Sequence, residues 1–188
     1  MKIAPLTARA LLAAGTGVVV LLVPARGGET LRVSVGSGGN QANGGSYAPC
    51  LSHDGRLVAF YSTASNLVAG DTNGSEDVFV RDLSAGTTER ASVGSGGAQG
   101  NSSSIQPWIS ADGSLVLFSS WATNLVSGDT NGVPDVFLRN RTSGTTTRVS
   151  LGFAGAQANG ASFRGSLSAD GRYLVFESDA TNLVAGDT

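Results

Sequence analysis

Lysine, histidine and cysteine are all scarce. Lys2 is the only lysine, His53 the only histidine and Cys50 the only cysteine of the 188 residues. Without a lysine past position 2, Ser–Lys and Schiff-base chemistry are closed to the body of the chain. One histidine and one cysteine cannot build a zinc cluster, and a lone cysteine excludes an internal disulfide framework. From Arg26 onward ten arginines face fourteen acidic residues, a net charge of −4 without any arginine cluster. That lacks the electrostatic footprint of a nucleic-acid binder. Aromatics are few at 6% and glycines many at 27, which argues against long helices because glycine weakens their interiors. Disorder needs low hydrophobicity with high net charge, and neither is present.

The first 25 residues read as a secretion signal, expected to be helical. Lys2 and Arg9 supply a positive start, Ala10 to Val23 an apolar run, and Val23-Pro24-Ala25 the small residues of a cleavage site. A membrane anchor is the competing reading, but it needs roughly 20 apolar residues and this run is shorter. With no cysteine close behind the run, a lipid-modified amino terminus is unsupported. The expectation is a secreted, periplasmic or cell-envelope protein with no stable membrane insertion once the signal is removed.

What the chain does have is a repeat, the feature to seek first. From Thr30 onward it aligns with itself at a shift of 58 residues with no gap. HDGRLVAFYSTASNLVAGDTNGSEDVFVRD is followed by ADGSLVLFSSWATNLVSGDTNGVPDVFLRN and by ADGRYLVFESDATNLVAGDT. Each unit reads as four short strands. Strand A lies near Tyr47 to Ser52 and ends in His53-Asp54-Gly55, a tight-turn signal. Strand B spans Leu57 to Ser62, strand C Asp77 to Asp82, and strand D the β-branched stretch Thr87 to Val93. Four antiparallel strands per unit with little helix define a propeller blade.

The pattern P-x-[IL]-S-x-D-G-x-x-[VL]-x-F-x-S followed by D-V-F-[VL]-R resembles the TolB-like, WD-type β-propeller repeat. Pro49, Ser52, Asp54, Gly55 and Phe60 carry it in the first copy, and Pro107, Ser110, Asp112, Gly113 and Phe118 in the second. The third keeps Ser168, Asp170, Gly171 and Phe176, with Gly165 in place of the proline. The resemblance covers Thr30 to the end and implies a fold rather than an activity, since such blades serve binding, scaffolding and enzyme gating alike. The expected fold class is therefore all-β, a partial propeller of four-stranded antiparallel blades after a signal helix. Residues 30–35 supply strand D of one blade, 46–93 and 104–151 two full blades, and 162–188 a partial one. Propellers close with four or more blades, so two and a half leave open edges that invite self-association. A partial reading of a longer protein is expected, with a ring of several copies as the alternative.

Two loop motifs are candidate sites on the face shared by the B-to-C and D-to-A loops. Asp71, Asn73 and Asp77, repeated as Asp129, Asn131 and Asp135, give D-x-N-G-x-x-D, the oxygen donors a hard cation such as Ca²⁺ seeks. The first acidic position of a full calcium loop is instead Ala69 or Ser127. The same residues equally fit turns in which Asp and Asn bond their own backbone. The D-to-A loop repeats Gln41 and Asn43 as Gln99 and Asn101, then as Gln157 and Asn159. These amides suit hydrogen bonding to a sugar or peptide, or to neighbouring turns. Arg32, Arg90 and Arg148, with Arg81 and Arg139, recur as expected of solvated outer strands or inter-blade ion pairs. Trp121, unrepeated, suits either stacking on a ligand or filling a packing gap.

No catalytic constellation emerges. His53 lies in a turn where the other copies have Ala111 and Ala169, so no Ser-His-Asp arrangement is built. The leading expectation is a binding module for a protein or glycan, without enzyme activity and with Ca²⁺ as the one candidate cofactor. The alternatives are the propeller portion of a larger secreted hydrolase or peptidase, and a purely structural repeat.

Overall fold

The computed structural model describes residues 21–22, 28 and 30–187. The expected signal helix falls outside these, except that Leu21–Leu22 (β1) pairs antiparallel with Leu31–Arg32 (β2).

Two four-stranded antiparallel sheets follow, each in simple sequential order. Ser46–Leu51 (β3), Leu57–Ser62 (β4), Asp77–Asp82 (β5) and Thr87–Arg90 (β6) form blade 1. Ser104–Ile109 (β7), Leu115–Ser120 (β8), Asp135–Asn140 (β9) and Thr145–Arg148 (β10) form blade 2. Ser162–Leu167 (β11) and Leu174–Ser178 (β12) form the third sheet, so the outer edge of β12 has no strand beside it among the described residues. Strand D is shorter than its β-branched composition suggests. After Arg90 the ladder bulges, with the amides of both Ala91 and Ser92 directed at the Val78 carbonyl.

The blades pack radially. Strand β7 lies against β3, β4 and β5, and β11 against β7, β8 and β9. Strand B is buried on both faces, and its two-residue period sorts side chains between neighbours. Leu57 and Ala59 join Ile109, Val116, Phe118 and Phe137 of blade 2 in one core. Val58 and Phe60 turn the other way, onto Val33, Leu67 and Phe79. In β12 only one face is covered: Leu174 and Phe176 are half-buried against blade 2, while Val175 and Glu177 are exposed. Phe60–Phe79 and Phe118–Phe137, both 5.9 Å between ring centres, repeat one packing unit across strands B and C.

The S-x-D-G motif closes the A-to-B turn through local hydrogen bonds. The Ser52 hydroxyl donates to Asp54 Oδ1 (2.6 Å) and accepts from the Leu57 amide (2.9 Å), while Asp54 accepts from the Arg56 amide (3.0 Å). Gly55 sits at φ +70°, where an L side chain is strained. Ser110, Asp112 and Gly113 repeat the device.

Candidate functional site

The structure brings Asp71, Asn73 and Asp77 together, with a guanidinium at the centre of the group. Arg90 crosses from strand D and places Nη1 2.9 Å from Asp77 Oδ2 and 3.5 Å from Asp71 Oδ1, and Nη2 3.1 Å from the Gly70 carbonyl. Asn73 donates to Asp77 (3.1 Å) and to the Gly100 carbonyl (2.9 Å). Gln99 donates to Asp71 (3.0 Å) and Asp77 (3.2 Å), and the Ser92 hydroxyl donates to the other Asp77 oxygen. The Asp77 side chain is 0% exposed, Asp71 3% and Arg90 8%. Burial, with the Asp77 charge alongside, pushes the Asp71 carboxyl above its ordinary range although Arg90 and Gln99 pull it down. Blade 2 repeats the cluster with Asp129, Asn131, Asp135, Arg148 and Gln157, and Asp129 is pushed up for the same reasons. Among the described residues no group of three or more His, Cys, Asp or Glu side chains is arranged to hold a metal ion.

These arginines correct one expectation. Arg90 and Arg148 are nearly buried and paired within their own blades, rather than solvated or bridging blades. Arg81 likewise turns its guanidinium onto the Gly86 carbonyl (2.9 Å), Thr88 Oγ1 and the Gly36 carbonyl, and Arg139 repeats this. The repeat placed them on strands C and D, but it carried no information about the loop folded over those strands.

The D-to-A amides knit the two loop types of one face together. Asn43 accepts from the Ser65 amide (2.9 Å), donates its side-chain amide to the Ser65 hydroxyl, and donates its backbone amide to Asn66 Oδ1. Asn66 in turn donates to the Gln41 carbonyl (2.8 Å). Asn101 with Thr123 and Asn124, and Asn159 with Thr181 and Asn182, repeat the clamp. Each loop also folds back on itself through Val35–Gln41, Val93–Gln99 and Leu151–Gln157 bridges. In the first two loops a serine then covers the open edge of strand D: the Thr88 amide donates to Ser37 Oγ (2.9 Å), the Ser37 hydroxyl donates to the Thr88 carbonyl, and Ser95 repeats this with Thr146.

A feature that sequence reading missed lies on the innermost strands. Each carries a register shift, between Tyr47 and Cys50, Ile105 and Trp108, and Phe163 and Ser166. At each shift a non-glycine residue is left-handed: Ala48 at φ +47°, Gln106 at +54° and Arg164 at +50°. Because Ala, Gln and Arg share no conformational preference, no local signal marked the position. The bulges line an apolar hollow of about 370 Å³ along Ala48–Cys50, Gln106–Trp108 and Arg164–Ser166. Trp108 is 43% exposed there. The Cys50 thiol donates to the Pro107 carbonyl, and burial pushes its pKa up to about 11, so it remains protonated. His53 is exposed in the A-to-B turn and tied to blade 2 only through its backbone amide, bonded to the Ala111 carbonyl.

This architecture defines a class: radially packed, four-stranded antiparallel blades, that is, a β-propeller segment. The comparisons narrow the fold further. A putative TolB from Agrobacterium tumefaciens superposes with TM-score 0.52 at 19% identity, over 85% of this chain and 47% of its own. TolB from Acinetobacter baumannii gives 0.45 at 16%, over 89% and 47%. A structure from a study of two prolyl endopeptidases gives 0.52 at 15%, over 85% of this chain and 22% of its own. The blades are thus TolB-like in fold, and the chain spans under half the length of either TolB. No protein-family model matches the chain, and no curated protein matches it. No helix among the described residues is long and apolar enough to cross a membrane.

Proposed function

We propose that the chain is a non-catalytic binding module of the cell envelope or exterior, whose axial hollow receives an extended apolar segment of a partner protein. The observation that carries this is the left-handed residue recurring on all three innermost strands. An L-residue in that conformation is strained by roughly 1–2 kcal/mol, and strain of this kind gathers at functional surfaces. Here it bends the strands to leave a concave, largely apolar wall with Trp108 projecting into it. The polar loop face, by contrast, spends its amides and carboxylates on itself. In this reading Arg90 and Arg148 each bridge the two carboxylates that a Ca²⁺ ion would otherwise bridge. Secretion rests on the charged, apolar start of the sequence. The likeness to a prolyl endopeptidase structure is one of fold and favours a second reading, the propeller portion of a larger peptidase.

Trp108 fluorescence of the Trp121→Phe variant, titrated with a library of extended apolar peptides, tests the proposal. A saturable change that Gln106→Gly weakens is expected, and calorimetry should show the binding weakened by Trp108→Ala. A flat response across the library, from a variant that melts cooperatively, refutes it. A serine-hydrolase domain encoded in continuity with these blades moves the assignment to the peptidase reading.

A further inference from the structure

The repeat supplies an internal control for side-chain roles: whatever blade building requires recurs every 58 residues. One concave place departs from it completely. Between blades 1 and 2, at the loop end, a cleft of about 430 Å³ is lined by Glu76, Ser102, Ser103, Ile105 and Trp121. The matching positions hold Pro134 for Glu76, Gly44 and Gly160 for Ser102, and Gly45 and Ala161 for Ser103. Tyr47 and Phe163 stand for Ile105, and Thr63 and Asp179 for Trp121. In the flanking copies a Cβ at Gly44 would meet the Ala64 amide at 2.8 Å, and one at Gly160 the Ala180 amide at 2.7 Å. The loop at Ser102 stands off far enough to carry a hydroxymethyl group, and that opens the cleft.

Its walls are fixed by hydrogen bonds between the two blades and within blade 2. The Ser104 amide donates to the Glu76 carbonyl (2.7 Å), the Trp121 amide to the Ser103 carbonyl (3.0 Å), and the Ser103 hydroxyl to Glu76 Oε2. Trp121 is tilted over Phe163 with ring centres 5.5 Å apart, which holds the indole while leaving it 39% exposed. Glu76 Oε1 and the Ser102 hydroxyl have no hydrogen-bond partner among the described residues, and both line the cleft.

We infer that this cleft is a binding site for a neutral sugar. An exposed, immobilised indole face suits the apolar C–H face of a pyranose, since aromatic rings combine a large apolar area with a polar edge. A free carboxylate oxygen accepts sugar hydroxyls in charge-assisted hydrogen bonds, and the Ser102 hydroxyl both donates and accepts. The negative charge of Glu76 disfavours uronic or sialic acids. The volume lies within the range of small-ligand pockets, about 300–1,000 Å³, enough for one or two sugar units. The site is separate from the axial hollow and shares no residue with it.

The test uses the full chain carrying Trp108→Phe, so that Trp121 is the sole indole reporter, titrated with cellobiose, maltose, lactose and chitobiose. A saturable fluorescence change with at least one of them is expected, with Kd on the order of 1 mM. Glu76→Ala weakens that binding about ten- to hundredfold. In a chain that keeps Trp108, Trp121→Ala abolishes the calorimetric signal. Glucuronic acid gives no change. Absence of a saturable response to all four neutral sugars overturns the inference, as does binding that survives Glu76→Ala unchanged. Because Trp108 is already replaced, failure here leaves peptide binding in the axial hollow to be judged by its own titration.

Discussion

Replacing Arg90 with methionine removes the positive centre of the blade 1 cluster while keeping a long apolar side chain. Asp71 and Asp77 would then lie buried without their cation, in side chains only 3% and 0% exposed. Breaking a buried ion pair by removing one partner costs about 3–5 kcal/mol, because the remaining charge is left uncompensated. Folded domains are stable by only about 5–15 kcal/mol, so one side chain controls a large share of the total. For a chain of this size each kcal/mol shifts Tm by about 2–4 °C, giving an expected fall of about 6–20 °C. Scanning calorimetry and urea unfolding read it, and Arg148→Met should reproduce it in blade 2. The loss should also depend on pH. The Asp71 carboxyl already lies above its ordinary 3.8 in the fold, and removing Arg90 raises it further. The folded variant therefore holds a proton that the unfolded chain has released, so its stability falls as pH rises through that window. The penalty is smaller near pH 4 than at pH 7. Adding Asp71→Asn and Asp77→Asn to Arg90→Met restores part of the loss by removing the orphaned charges. A fall below about 1 kcal/mol, the worth of an exposed pair, would refute the cluster as the structural centre of the loop face. So would a loss that is the same at both pH values.

Chelation with EDTA should leave the wild-type Tm unchanged, because the carboxylates are already bonded by Arg90, Asn73 and Gln99; a fall of several degrees would return Asp71, Asn73 and Asp77 to the role of calcium ligands. Asn101→Ala removes two loop-to-loop hydrogen bonds made by its side chain and should cost about 1–3 kcal/mol in urea unfolding, with peptide and sugar titrations unaltered per folded molecule. Asp112 is held at about 2 first by the Ser110 hydroxyl and then by the Ser114 amide and hydroxyl, and Asp82 at about 2 mainly by Arg56. Their stabilisation is present above about pH 3.8 and lost as pH falls through about 2, so Asp112→Asn should flatten Tm against pH in that window, and an unchanged slope counts against it.

Much of the blade was legible in the residues. Strands B and C occupy 57–62 and 77–82 as read, because a two-residue apolar period and a fixed turn chemistry are local properties. Ser52, Asp54 and Gly55 close their turn using atoms within five residues of one another, so their spacing was sufficient. The loop motif was harder. D-x-N-G-x-x-D states that carboxylates converge, but the same convergence serves a metal, a turn or an arginine. What the carboxylates meet is set by Arg90, thirteen residues beyond Asp77 on another strand, and by Gln99, which arrives with the next loop.

The amino-acid order alone thus settled the repeat, its strands and its hairpin turns, since each rests on contacts between residues close in the chain. Three features were decided only by the tertiary structure. These are the guanidinium at the heart of the acidic loop, the left-handed bulge shared by Ala48, Gln106 and Arg164, and the cleft beneath Trp121. Each depends on side chains brought together from different strands or from neighbouring repeats, and separation in sequence carries no record of that distance in space.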